Sequence, residues 1–207
     1  MKSKYFIWLF ISFLSFSILH CATGGTYSIY LRYQPTREFP SIQKKFGSTL
    51  AIAPFQDQRP NTLSIGHHTP LYGVSSHFKS EPFQLEKTLM ESLSHALSHY
   101  GVKTIPISNW NGEPYSLKNM ETDSMLMIKI KRFWTEGVAS LFRTHVKTTV
   151  QLVIHLGVKK EGNVFTRNVE VEKEITVARL TPEGIEKQIN EILMDIFDAF
   201  LSNPYEI

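Results

Sequence analysis

From Arg143 to Val158 the chain alternates. Val146, Val150, Leu152, Ile154, Leu156 and Val158 take even positions, and Arg143, His145, Lys147, Thr149, Gln151 and His155 take odd ones. A period of two is the pleat of a β-strand with one face dry and one wet. Beyond Glu161, Gly162 and Asn163 the alternation resumes, with Phe165, Val169, Val171, Ile175 and Val177 on one side and Thr166, Asn168, Glu170, Glu172 and Glu174 on the other. Any hairpin register with an odd residue sum joins the two apolar faces and lays the acidic row beside the row containing Lys147. A long amphipathic hairpin of this kind needs a cover on its dry face.

Two helical stripes can supply that cover. Pro82 opens a segment ending at Gly101 in which Leu85, Leu89, Leu93, Ala96 and Tyr100 recur at helical spacing. Thr181 as N-cap and Pro182 as first residue open another, running to about Ser202, with Ile185, Ile189, Ile192, Leu193, Ile196 and Phe200 in one stripe. Strands are further predicted at Thr26 to Tyr33, Thr49 to Ala53, Val102 to Ile107 and Met125 to Thr135. In the last of these Leu126, Ile128 and Ile130 face the core. Gln34 to Lys45 and Asn109 to Asp123 read as connectors, and Phe55 to Glu81 as a long loop that is functional or hides a small hairpin. The expected architecture is α+β, a mostly antiparallel sheet with two amphipathic helices packed on one face.

Before this body lies a leader. Lys2 and Lys4 precede an apolar run from Tyr5 to Leu19, then His20 and Cys21, the sole cysteine. A basic start followed by about 7 to 15 apolar residues is the layout of a secretory signal peptide, and it is short of the roughly 20 needed to span a bilayer. The expected division is a signal peptide over 1–20, a lipidated tether over 21–25 and one domain over 26–207. The leader holds two of the 22 basic residues, leaving 20 against 19 acidic ones. So balanced a charge gives no footprint for nucleic acid.

Where the apolar run meets Cys21, the chain resembles a bacterial lipoprotein precursor. Ile18 and Leu19 suit the aliphatic part of a lipobox, while His20 stands where such boxes have a small residue. The resemblance implies that the Cys21 thiol carries a diacylglyceryl group, that the leader is cut before it, and that the new amino terminus is acylated. Ala22, in place of aspartate, implies no inner-membrane retention by the enterobacterial rule, favouring the outer membrane.

A second resemblance begins at Thr49. Leu50-Ala51-Ile52-Ala53-Pro54-Phe55, Asp57-Gln58-Arg59-Pro60, Ile65-Gly66, Leu71-Tyr72-Gly73 and Tyr100-Gly101-Val102 are similar to the YajG-type lipoprotein family. That family implies a tethered periplasmic α+β domain closed by a helix, and no established activity.

The candidate site residues are few. Asp57 and Arg59 read either as an exposed partner-docking pair or as a local ion pair capping a turn. Trp110 and Trp134, with Tyr115, Phe133 and Phe142, are candidates for an apolar patch or ordinary packing. His67, His68 and His77 in the long loop, and His95 and His99 four apart on a helix, have residue types that suit zinc or copper, but solvated histidines are the simpler reading. Glu170, Glu172 and Glu174 read as cross-strand charge pairing before general acid–base chemistry. No nucleophile elbow, phosphate loop or zincin motif is present. The sequence therefore predicts a non-enzymatic envelope lipoprotein with no cofactor, docking another envelope protein. A small-molecule or lipid-binding module and an envelope-polymer hydrolase are the alternatives.

Overall fold

A computed structural model of the protein describes residues 24–205. In chain order the elements are β1 (Thr26–Tyr30), α1 (Ile42–Phe46), β2 (Thr49–Ile52), β3 (Gln56–Asp57), β4 (Gly66–Thr69), β5 (Ser76–Glu81), α2 (Leu85–His99), β6 (Lys103–Pro106), β7 (Ser124–Ala139), β8 (Thr144–Val158), β9 (Asn163–Val177) and α3 (Pro182–Ser202). Short 3-10 helices interrupt the connectors at Pro114–Asn119 and Lys159–Glu161.

β7 is the spine of a nine-stranded sheet. Along one side it pairs antiparallel with β8 over its whole length, and β8 pairs antiparallel with β9. The register sets Val158 opposite Asn163 and Lys147 opposite Glu174, an odd sum throughout. Lys147 Nζ reaches Glu172 at 2.6 Å and Glu174 at 3.2 Å on the wet face. Along its other side β7 meets β2, β3 and β4 in succession, and each runs parallel to it. β6 adds parallel to β2, β5 antiparallel to β4, and β1 parallel to β5.

The sheet is thus mixed. The antiparallel pairs hold most of the length, as expected, and to them are added five parallel pairings out of eight that the alternation did not predict. Period two reports which face a residue takes and is silent on strand direction. Here direction is set by long excursions, such as the one through α2 that returns β6 parallel to β2. The long loop hides β3, β4 and β5, the last two a small antiparallel hairpin.

The buried stripes of α2 (Leu85, Leu89, Leu93, Ala96, Leu97) and α3 (Ile185, Ile189, Ile192, Leu193, Ile196, Phe197, Phe200, Leu201) join Leu126, Ile128, Ile130, Val150, Leu152 and Ile154 in one core. α2 begins at Leu85, three residues after Pro82, because the Thr88 hydroxyl ties back to the Phe83 carbonyl and holds Pro82 to Gln84 outside the helix. α3 starts as read, the Thr181 hydroxyl accepting from Gly184 N.

Both flanks of α3 bond to the sheet's edges. On one flank Asn190 accepts from Arg32 N at 3.0 Å and donates to the Tyr30 carbonyl at 3.1 Å, and Glu186 accepts from Tyr30 N at 3.2 Å. On the other, Gln188 donates to the Lys173 carbonyl and Lys173 Nζ donates to Glu191 at 2.7 Å. A single helix reaching β1 and β9 means that the sheet curls round it, so these two edge strands are partly covered rather than left open for aggregation, while the third edge, β6, pairs only with β2.

Asp198, buried on α3, fixes the connector after β1. It accepts from the Tyr33 hydroxyl at 2.6 Å and from both the backbone and the hydroxyl of Thr36. Burial, then the adjacent carboxylate, push the Tyr33 phenol far above its usual range, so it stays a proton donor. Within that connector α1, unforeseen in the sequence, buries Ile42 and Phe46.

Candidate functional site

The wet face of the sheet is where a site is built, and a β-bulge decides what it shows. Ile130 pairs with Leu152, but Arg132 pairs with Gln151, leaving Lys131 as an extra residue. Before the bulge even residues of β7 face the core. After it the parity reverses, so Phe133 is fully buried opposite Val150 while Arg132 and Trp134 turn to the outer face. Bulges commonly re-aim side chains in this way beside functional sites.

Trp134 is half-buried on that face. Its ring lies 5.6 Å from the His67 ring, centroid to centroid, and His67 Nε2 stands 3.6 Å from Glu136. Beside it, Pro60, Asn61, Arg132 and Gln151 enclose a groove of about 420 Å³. Gln151 is held by a 2.7 Å bond to Glu170. A partly covered indole with Arg and Gln at its rim is chemistry suited to a protein surface, since Trp and Arg are enriched among the residues that carry binding energy. The groove residues Pro60, Asn61, Arg132 and Gln151 are not among the site candidates read from the sequence, where nothing marks the bulge that gathers them.

Asp57 and Arg59 form the floor support of this groove and not a free pair. Their side chains are only 8% and 3% exposed and share three bonds, Nε to Oδ1 at 2.9 Å and to Oδ2 at 3.1 Å, and Nη2 to Oδ2 at 2.7 Å. Arg59 Nη1 also donates to the carbonyls of Ser64 and Phe133. Of the two readings, this geometry is that of the local ion pair and not of an exposed pair: the guanidinium is spent on its own fold, stapling the loop before β4 to β7.

Trp110 is likewise buried, 4% exposed. Its Nε1 donates to Ser116 at 2.8 Å, and it packs with Ala51, Ala53, Leu117, Met125 and Met127 in a second, smaller core on the outer face. Gly157 makes room for it, since a Cβ there would stand 2.5 Å from Leu117 and 3.1 Å from Trp110. Trp110 and Trp134 therefore share a face without sharing a site, since Met127, which packs on Trp110, lies seven residue steps from Trp134, or roughly 23 Å of strand. Tyr115 and Phe142 are exposed.

The histidines do not converge. His67 and His77 are cross-strand partners, while the neighbouring His68 projects to the other face. Burial, then His67, lower the pKa of His68. Burial, then Lys129, lower that of His155. Both are neutral at neutral pH. Among the described residues no group of three or more His, Cys, Asp or Glu stands close enough to hold a metal ion, and no helix is long and apolar enough to cross a membrane. Cys21 lies outside the described residues.

No protein-family model matches the sequence, and no curated protein is similar to it. Among solved structures the fold is similar to protein XCC0632 from Xanthomonas campestris, of family DUF330. Its TM-score is 0.56 and its identity 14%, over 87% of this chain and 94% of that one. Lipoprotein GNA1162 from Neisseria meningitidis gives a TM-score of 0.40 at 10% identity, over 73% of this chain and 98% of that one. A minor lipoprotein from Acinetobacter baumannii gives 0.35 at 11%, over 76% and 94%. The first likeness shows a shared α+β fold and nothing of function; the other two are too low to argue from.

Proposed function

We propose that this protein is a lipid-anchored component of a bacterial envelope, moored through Cys21, that docks another envelope protein through the groove beside Trp134. The observation that carries the reading is the basic, apolar leader ending at the sole cysteine, three residues before the first described residue. The YajG-type resemblance from Thr49 onward supports the same reading, and Ala22 favours the outer membrane. Binding is preferred to catalysis because the buried carboxylates are consumed, Asp198 by Tyr33 and Thr36 and Asp57 by Arg59, and the glutamates of β9 are engaged by Lys147 and Gln151.

The test is capture from detergent-solubilised, crosslinked envelopes with the full-length protein and its W134A variant. The expected result is that a reproducible partner is recovered with the parent and falls several-fold with W134A, as loss of a central tryptophan does. Equal recovery would remove the groove from the account.

A second reading, small-molecule binding, draws on a cleft of about 550 Å³ beside the start of α2, lined by Phe55, Leu63, Pro82 and Phe83. Its volume is in the range of ligand sites.

A further inference from the structure

Four chain features meet at one end of the sheet. β7 runs out at Ala139 and turns through 140–143 into β8. β4, parallel to β7, ends there too, with Thr69 opposite Val138, and turns through 70–75 into β5. β9 finishes opposite the start of β8, Val177 facing Thr144, before leading into α3. The chain enters β1 at the same end, where the Gly25 carbonyl accepts from His77 N and Thr26 lies opposite His77.

This end is apolar at its tips. Tyr72 is 84% exposed, Phe142 86% and Leu141 73%, and Tyr27, Leu71, Val74 and Val138 are exposed beside them. Those seven are the majority of the eleven exposed large apolar side chains among the described residues. They are gathered at one pole, where random scatter would need no explanation. The three turns, 70–75, 140–143 and 178–181, contain two arginines, Arg143 and Arg179, and no carboxylate. Aromatic and aliphatic tips with cations around them are the composition that settles into the headgroup region of an anionic bilayer.

The tether decides the occupant. Three residue steps separate Cys21 from Gly24, so even fully extended they reach about 10 Å. A body held that closely cannot turn another face to the lipid. We propose that this pole, led by Tyr72, Leu141 and Phe142, seats in the membrane interface and holds the sheet upright, with the Trp134 groove facing sideways. The inference rests on the lipid anchor proposed above.

It is tested with the full-length protein reconstituted in vesicles of phosphatidylethanolamine with a minority of phosphatidylglycerol, some carrying bromines near the top of the acyl chains. The variant F142W reports the proposed contact. K160W, on the β8–β9 turn at the opposite pole, is the control. Mass spectrometry of the same preparation reads the state of Cys21. Quenching by the brominated lipid several-fold greater at F142W than at K160W, with Cys21 acylated, is the expected result. Equal, weak quenching with Cys21 acylated would overturn the seating while leaving the anchor intact. Shielding of F142W that grows with protein density and ignores the bromines would assign the pole to a second copy instead. A bare Cys21 would remove the anchor, and the seating with it.

Discussion

A chain that stops at Arg179 is expected to yield no folded protein. α3 buries eight apolar side chains, from Ile185 to Leu201, each almost inaccessible to solvent. At roughly 1.5 to 3 kcal/mol apiece their burial is as large as the whole ~5 to 15 kcal/mol by which a domain is stable, or larger. Loss of the helix also strips Asn190 and Glu186 from β1, Gln188 from β9 and Asp198 from Tyr33, so the edge strands β1 and β9 lose their cover together. Circular dichroism and amide exchange would show an unfolded or aggregated product. A soluble truncated chain with a cooperative unfolding transition would contradict this role for α3.

The second large effect is expected at Arg59, whose replacement by alanine should cost about 3 to 5 kcal/mol. Removing one member of a buried pair leaves the other charge unpaired in a dry site. Here the Asp57 carboxylate loses its guanidinium and keeps only the backbone N–H of residue 59, and the carbonyls of Ser64 and Phe133 lose the Arg59 donor. Urea unfolding should show a lower midpoint at an unchanged slope. The double variant D57L/R59M should recover much of the loss, because apolar replacement of a whole buried pair is often neutral. A cost below about 1 kcal/mol for R59A, the value of a solvent-exposed pair, would mean that the pair is not buried in solution.

The sequence was most legible where one local pattern dictated one answer. The β8–β9 hairpin could be read with the parity of its register, because alternation on both strands leaves only odd sums, and the structure selects the one that sets Val158 opposite Asn163. The start of α3 could be read because Thr181 and Pro182 are a cap and a first-turn residue. The groove was hidden for a different reason. Trp134 lies at an even position, on the core parity of Leu126, Ile128 and Ile130, and only the extra residue at Lys131 turns it outward. Asp57 and Arg59 were visible as a pair, but their depth depends on β4 and β7 closing over them, a contact across 74 positions between Arg59 and Phe133. Trp110 was similarly ambiguous, because its pocket exists only through the missing side chain at Gly157 on a distant strand. The apolar pole could not be read either: Leu71-Tyr72 and Leu141-Phe142 are far apart in sequence, and parallel pairing of β4 with β7 is what brings their turns to one end.

Every element of the functional account returns to a fatty modification on one side chain, and the mass of the mature polypeptide tests it most directly. Purified from membranes of a bacterium that processes lipoproteins, the protein is predicted to begin at Cys21, with a diacylglyceryl thioether on its sulfur and an acyl chain on its amino group. A polypeptide retaining Met1 to His20, or one beginning near Ala22 with no lipid, would contradict the anchor and the membrane-seated pole alike.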